Sequence, residues 1–157
     1  MTFKKTLPFL SLTIVVALLI WSLFFWKTEM VSTTPGLPPG GDFTLQSASG
    51  PVSLESLRGK VVLLYFGYTS CPDICPTSLT LMSIALSQLN EDEQTRVQGL
   101  FVSVDPKRDT PERLAQYSHH FHSNINGITG SDEQVAEVAS RYGALYQVAE
   151  GGTAMGY

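Results

Sequence analysis

Cys71 and Cys75 are the only two cysteines of this 157-residue chain, and both stand in one run, Tyr68-Thr69-Ser70-Cys71-Pro72-Asp73-Ile74-Cys75-Pro76. If that run opens a helix, the helical rise puts their backbones about 6 Å apart on one face. Such a spacing suits a Cys71–Cys75 disulfide, whose Cα atoms usually lie roughly 4.4–6.8 Å apart. It equally suits a chelate in which two thiolates grip one soft ion. The pair therefore offers redox chemistry or metal binding. A purely structural bridge is a third reading, but closing so short a loop removes little entropy from the unfolded chain. A place between prolines at a helix start also favours reactive thiols.

The elements that must position the pair begin after a hydrophobic leader. Residues 7–26 read LPFLSLTIVVALLIWSLFFW, with no charge. At 1.5 Å per residue this stretch spans about 30 Å, the thickness of a bilayer core. Lys4 and Lys5 precede it, while Lys27 and Glu29 follow and nearly cancel. The positive-inside rule then keeps residues 1–6 in the cytoplasm and exports the rest. Trp21 and Trp26 suit an interfacial belt. The alternative is a cleavable signal peptide, but the apolar stretch is longer than a usual h-region and no small-x-small site follows. The sequence thus predicts an uncleaved single-pass anchor in an inner membrane, with the domain in a periplasm or an equivalent exported space. Residues 27–41 form a Pro/Gly-rich linker. Residues 42–157 form the exported domain.

That domain carries seven Lys and Arg against thirteen Asp and Glu, a net charge of −6 with neutral histidines. An acidic domain argues against nucleic acid as a partner, and no polybasic patch for anionic lipid is present. The exported cysteines would meet an oxidising compartment, where a pair of thiols oxidises unless metal or a reductant intervenes.

Alternating pieces at 43–45 and 52–54 around Ser49-Gly50-Pro51 predict a hairpin. The continuous apolar run 61–66 predicts a strand buried on both faces. Leu79, Met82, Leu86 and Leu89 form one helical stripe after the cysteines. A second buried strand runs over 97–104. Thr110 then caps a helix with Pro111 at its first position, reaching about His120. A short strand follows, then the capping box Ser131-Asp132-Glu133-Gln134 with the stripe Val135, Val138, Ala139 and Tyr142. Residues 144–148 predict a last strand. Strands alternating with helices imply an α/β fold with a largely parallel sheet. The cysteines fall at the C-terminal end of a strand, where open α/β sheets place their sites. The following helix N-terminus stabilises thiolate.

Other residues offer subsidiary roles. Asp73 lies between the thiols and suits a helix cap. Asp105 ends a buried strand; it either orients a ligand from behind or merely starts a turn. Lys107-Arg108-Asp109 reads as a solvated loop, or as a docking patch for an acidic partner. His119, His120 and His122 are possible metal ligands, weighed against solvated histidines at a helix C-terminus. Met82 reads as core, and Met155 is a weak candidate for a soft sulfur ligand.

Two long motifs carry a resemblance. Tyr65-Phe66-Gly67-Tyr68-Thr69-Ser70-Cys71-Pro72-Asp73-Ile74-Cys75-Pro76 resembles the signature of the Sco/SenC copper-chaperone family, as does Val102-Ser103-Val104-Asp105-Pro106-Lys107-Arg108-Asp109-Thr110-Pro111. Gly127-Ile128-Thr129-Gly130 before a capped helix is similar too. The resemblance implies a thioredoxin-like fold tethered by one N-terminal helix. It implies a copper ion held by Cys71 and Cys75, received from a copper donor protein and passed to the copper-bearing subunit of cytochrome c oxidase. That activity is a carrier's rather than an enzyme's. The family also has thiol–disulfide oxidoreductase members, so a disulfide-exchange role on the oxidase subunit or other exported proteins is the alternative. The family completes its copper site with a histidine after an aspartate, downstream of the helix at 131–142. Here the corresponding stretch reads Glu150-Gly151-Gly152-Thr153-Ala154-Met155-Gly156-Tyr157, without Asp-His. The expectation is a truncated product lacking that ligand and the C-terminal strand and helix, with a short, exposed sheet edge.

Overall fold

The computed structural model describes residues 38–148 and Ala154–Met155, together with Leu18 and Trp21, both helical. The chain divides into two compact units, Met1–Gly36 and Leu37–Tyr157. The predicted anchor lies outside the described residues except at those two positions. Among the described residues no helix is long and apolar enough to cross a membrane.

The second unit opens with strand β1 (Thr44–Ser47), which pairs antiparallel with β2 (Gly50–Ser53). The predicted hairpin is present, but Gly50 and Pro51 belong to β2 and the turn lies before them. Pro51 is tolerated because it stands on β2, whose outer edge pairs with no strand among the described residues. A 3-10 turn, Leu54–Leu57, leads to β3 (Val61–Gly67). Helix α1 (Ile74–Ser87) and the short α2 (Glu91–Thr95) separate β3 from β4 (Val97–Ser103). Helix α3 (Pro111–Phe121), β5 (Ile125–Ile128) and α4 (Asp132–Arg141) follow. The two-residue strands β6 (Gln147–Val148) and β7 (Ala154–Met155) pair antiparallel.

The main sheet is parallel, in the order β3-β4-β5. Its central strand is β4, whose residues from Gly99 onward are buried. The expectation that β3 is buried on both faces is corrected here. In the described sheet β3 is an outer strand, mostly half-buried, with Val61 exposed. The side chains of β3 do reach cores on both faces, Val62, Leu64 and Phe66 on one and Leu63 and Tyr65 on the other, but in the described sheet no strand covers its outer edge, so they stay half-buried. On β4, side chains alternate between two cores. Leu100 and Val102 meet Phe43, Leu45, Ile128 and Val138. Phe101 meets Leu79, Leu86, Leu114 and Ile125 between α1 and α3. The hairpin is tied to the end of β5 by paired backbone bonds between Gln46 and Thr129, of 2.7 and 2.9 Å.

The caps predicted at Thr110 and Ser131 form. Thr110 Oγ1 accepts the Arg113 N–H, and Ser131 and Gln134 make a reciprocal capping box. A like box, Asn90 with Glu93, holds α2, which lacks the apolar periodicity that would have announced it. The last residues of the predicted linker are seated on the end of α4. Gly40 N–H donates to the Arg141 carbonyl and the Tyr142 hydroxyl to the Gly41 carbonyl, both at 2.8 Å. Residues 144–146 are not strand, leaving only Gln147–Val148 of the predicted one.

Helix α3 lies directly on β5. A Cβ at Gly127 would stand 2.6 Å from the Leu114 carbonyl oxygen, a backbone atom that cannot turn aside. We expect Gly127→Ala to cost about 3 kcal/mol, the upper range for overpacking. Urea unfolding checks this: the midpoint should fall while its slope stays unchanged.

Candidate metal and thiol site

Strand β3 stops at Gly67, whose carbonyl accepts the Val104 N–H at 2.8 Å. The chain turns through Tyr68, Thr69 and Ser70, and Cys71 N–H closes onto the Tyr68 carbonyl at 3.3 Å. Helix α1 starts at Ile74, so Cys75 lies in its first turn and Cys71 lies before it. A helix N-terminus leaves its first N–H groups without intrahelical partners. Asp73 occupies the cap position, yet its carboxylate accepts none of them and reaches only the Thr77 hydroxyl, at 3.5 Å. The expected Asp73 cap is therefore replaced. The Sγ of Cys71 accepts the Cys75 N–H at 3.4 Å, and the Asp73 N–H also points to it. Sulfur does the capping because Asp73, whose φ of -141° and ψ of -69° are not those of an extended cap residue, has its carboxylate toward the exposed Thr77 hydroxyl instead.

The second sulfur sits against the strand. A Cβ at Gly67 would come within 2.9 Å of Cys75 Sγ, so only glycine leaves it that seat. Both cysteines are free thiols, 8% and 3% exposed, and their side chains hydrogen-bond each other. They pack with Tyr68, Val104 and Val135, with Tyr65, Phe66 and Tyr146 at the margin. They line one cavity of about 270 Å³, whose mouth carries Ile74 and the almost fully exposed Leu145.

The two sulfurs differ electrostatically. Burial pushes the Cys71 thiol up, but the Cys75 thiol, the N–H groups of Cys75 and Asp73, and the Tyr68 side chain outweigh it and leave it below its ordinary value. Burial pushes the Cys75 thiol up. The Tyr68 N–H opposes this, the bond and charge of Cys71 reinforce it, and the result is raised. Tyr65 is pushed up to about 12, first by burial, with its hydroxyl near Ser78 and Cys75. Cys71 is thus the more readily ionised thiol of the pair and Cys75 the less.

The other predicted site residues are dispersed. Asp105 is a turn residue: its carboxylate pairs with Arg108, and its carbonyl accepts the N–H groups of Arg108 and Asp109 at 3.2 and 3.0 Å. Lys107-Arg108-Asp109 is not a solvated loop. Lys107 is exposed, but Asp109 is fully buried and bonded to Thr69 and Ser103. The histidines stand at the far end of α3, which begins beside Thr69 and extends about 16 Å. His119 and His120 are exposed; His122 Nδ1 accepts the Asn124 N–H at 3.0 Å. Among the described residues neither they nor any carboxylate lines the cavity. Met82 is core between α1 and α3, and Met155 stands in β7. Among the described residues no three His, Cys, Asp or Glu gather to hold a metal. Tyr68, Tyr65 and Gly67 were quoted in the sequence motif without roles. The glycine that directly follows the aromatic pair Tyr65-Phe66 at the strand end was the available signal.

A parallel β-α-β sheet with a cysteine pair where strand passes to helix is the arrangement of thioredoxin-like proteins. Residues 31–157 match the family model described as SCO1/SenC, and the chain belongs to that family. An SCO2-like protein of Rickettsia conorii is 42% identical over 108 residues, which are 68% of this chain and 52% of that one. The chain thus spans about half the length of that curated relative. The apo Sco1 protein of Thermus thermophilus is similar at 44% identity and a TM-score of 0.67, over 75% of this chain and 70% of that one. Arabidopsis thaliana ScoI, solved with copper bound, is 40% identical at a TM-score of 0.65, over 71% and 70%. BsSco, described as having a disulfide switch and as one of the Sco cytochrome c oxidase assembly proteins, is 32% identical at 0.57, over 71% and 67%.

The thiol asymmetry is measurable in the reduced, metal-free protein. A lowered Cys71 value means more thiolate at neutral pH. Its alkylation should therefore rise through a midpoint below that of an ordinary thiol, while that of Cys75 rises above it. Cys75→Ala removes a donor to Cys71 and should move the Cys71 midpoint up. Mass-spectrometric alkylation rates across pH check both.

Proposed function

We propose that this protein is a membrane-tethered copper carrier for the assembly of cytochrome c oxidase. Cys71 and Cys75 bind Cu(I) together, accept it from a copper donor protein, and pass it by ligand exchange to the copper-bearing subunit of the oxidase. The observation that carries this reading is the pair of mutually facing sulfurs in one apolar cavity at a helix N-terminus. Thiolates select Cu(I) over harder ions. The helix N-terminus favours the negative charge that the metal requires of its ligands. The likeness to a copper-bound plant relative supports the same ion. The apolar mouth suits contact with a protein surface at the moment of exchange. Residues 7–26 hold the carrier at an inner membrane, with residues 42–157 on the exported side.

A second reading is favoured by the asymmetry of the thiols. One lowered and one raised partner is the pattern of an attacking and a resolving cysteine. In that role Cys71 thiolate attacks a disulfide sulfur of a partner, releasing one partner thiolate. Cys75 then attacks the mixed disulfide and leaves Cys71–Cys75 oxidised and the partner fully reduced.

Titration of the reduced full chain with Cu(I), against a chromophoric chelator, decides between these. We expect one Cu(I) per chain, with affinity falling at least about a hundredfold in Cys71→Ser and in Cys75→Ser, since each removes one of two soft ligands. No chelator-resistant binding, together with rapid exchange with a disulfide substrate, would replace the carrier with the oxidoreductase.

A further inference from the structure

The turn that carries Cys71 is bonded to a residue forty positions away in the chain. Asp109 is fully buried just before α3. Its Oδ2 accepts the Thr69 N–H at 2.9 Å and the Ser103 hydroxyl at 2.6 Å. Its Oδ1 accepts the Thr69 hydroxyl at 2.5 Å. Arg113 Nε donates to the Thr69 Oγ1 at 2.9 Å and stands 3.8 Å from Asp109 Oδ1. The Asp109 N–H is tied back to the Asp105 carbonyl at 3.0 Å.

A buried carboxylate is costly unless its lone pairs are filled and a cation is near. Asp109 meets both conditions, and its bonds converge on one residue. Thr69 is held by main chain and side chain at once, which fixes its position and its orientation. Thr69 stands two residues before Cys71. Ser103, the third donor, is the register partner of Gly67, the seat of Cys75. One carboxylate therefore joins the turn before Cys71 to the strand end beneath Cys75.

We propose that Asp109 is a positioning residue for the cysteine pair: by clamping Thr69 to the end of β4, it sets the turn that lays Cys71 Sγ on the first-turn N–H groups of α1. Asp109 holds neither sulfur itself. It acts through Thr69, so its loss should alter the pair while the sheet survives. The effect on copper rests on the carrier reading above; the effect on thiol geometry does not.

The test uses the full chain in detergent, reduced and metal-free, with two readouts: the ratio of Cys71 to Cys75 alkylation rates, and Cu(I) affinity against a chelator. The variants are Asp109→Asn, Thr69→Val and Thr69→Ser. Val138→Ala is a control that loosens the opposite face of the sheet. We expect Asp109→Asn and Thr69→Val to lower the alkylation ratio about tenfold and Cu(I) affinity about tenfold, as for other residues that orient ligands. Thr69→Ser, which keeps the hydroxyl, should restore both, and Val138→Ala should lower the melting temperature and leave both unchanged. Should Asp109→Asn fail to fold, the Thr69 pair gives the same discrimination. Loss of stability with both readouts at wild-type values would make Asp109 a structural residue only and overturn the proposal. If the unmodified chain binds no Cu(I), the carrier reading fails, and the alkylation ratio alone decides the role of Asp109.

Discussion

The structure turns on how the first turn of α1 finds acceptors. The helix starts seven residues after the end of β3, and Pro76 offers no N–H in its first turn. The N–H groups of Cys75 in that turn and of Asp73 just before it are met by the sulfur of Cys71 rather than by a carboxylate. An acceptor at that place gains from the helix dipole when it is charged. The same bonds that end the helix therefore also prepare a thiolate. The neighbouring sulfur is deeper, receives less help, and feels the charge of the first. Two chemically identical residues become unlike through four positions of backbone.

That arrangement requires a rigid frame. The register of β3 with β4 sets Gly67 beside Ser103, and from that point the site is built in two directions. Toward the cysteines, the bare Cα of Gly67 admits Cys75 Sγ. Toward the helices, Ser103 shares the carboxylate of Asp109 with Thr69. Helix α3 carries Arg113 to the same cluster and is itself held against β5 at Gly127. Packing on both faces of β4 makes these positions mutually dependent. The mouth of the cavity is different. Leu145 is exposed beside it, on a stretch without regular structure. The sulfurs are thus held firmly, with the apolar contact surface at the periphery.

Much of this was legible in the sequence. The order of strands and helices, the caps at Thr110 and Ser131, and the place of the cysteines at a strand end all follow from local patterns. What was not legible falls into two kinds. Helix α2 is polar and only a turn and a half long, so no periodicity marks it; Asn90 and Glu93 form its box in the open. The roles of Asp73 and Asp109 are hidden from local pattern for another reason. Both are aspartates in polar surroundings, and nothing local says that one is exposed and idle at the cap while the other is buried and fully bonded. Likewise the run 61–66 names an apolar strand without saying which of its flanks is covered.

By itself the sequence determined which atoms are available: two soft sulfurs four residues apart, a strand before them, a helix after them, and the two motifs that mark the family. These are short-range properties, set by backbone geometry and side-chain chemistry within a few residues. Only the tertiary structure decided which sulfur ionises more readily, which aspartate serves the site, and that the three histidines lie at the far end of α3. Those outcomes depend on burial and on hydrogen bonds between residues forty apart in the chain. They come into being only when β4 and α3 close against the turn.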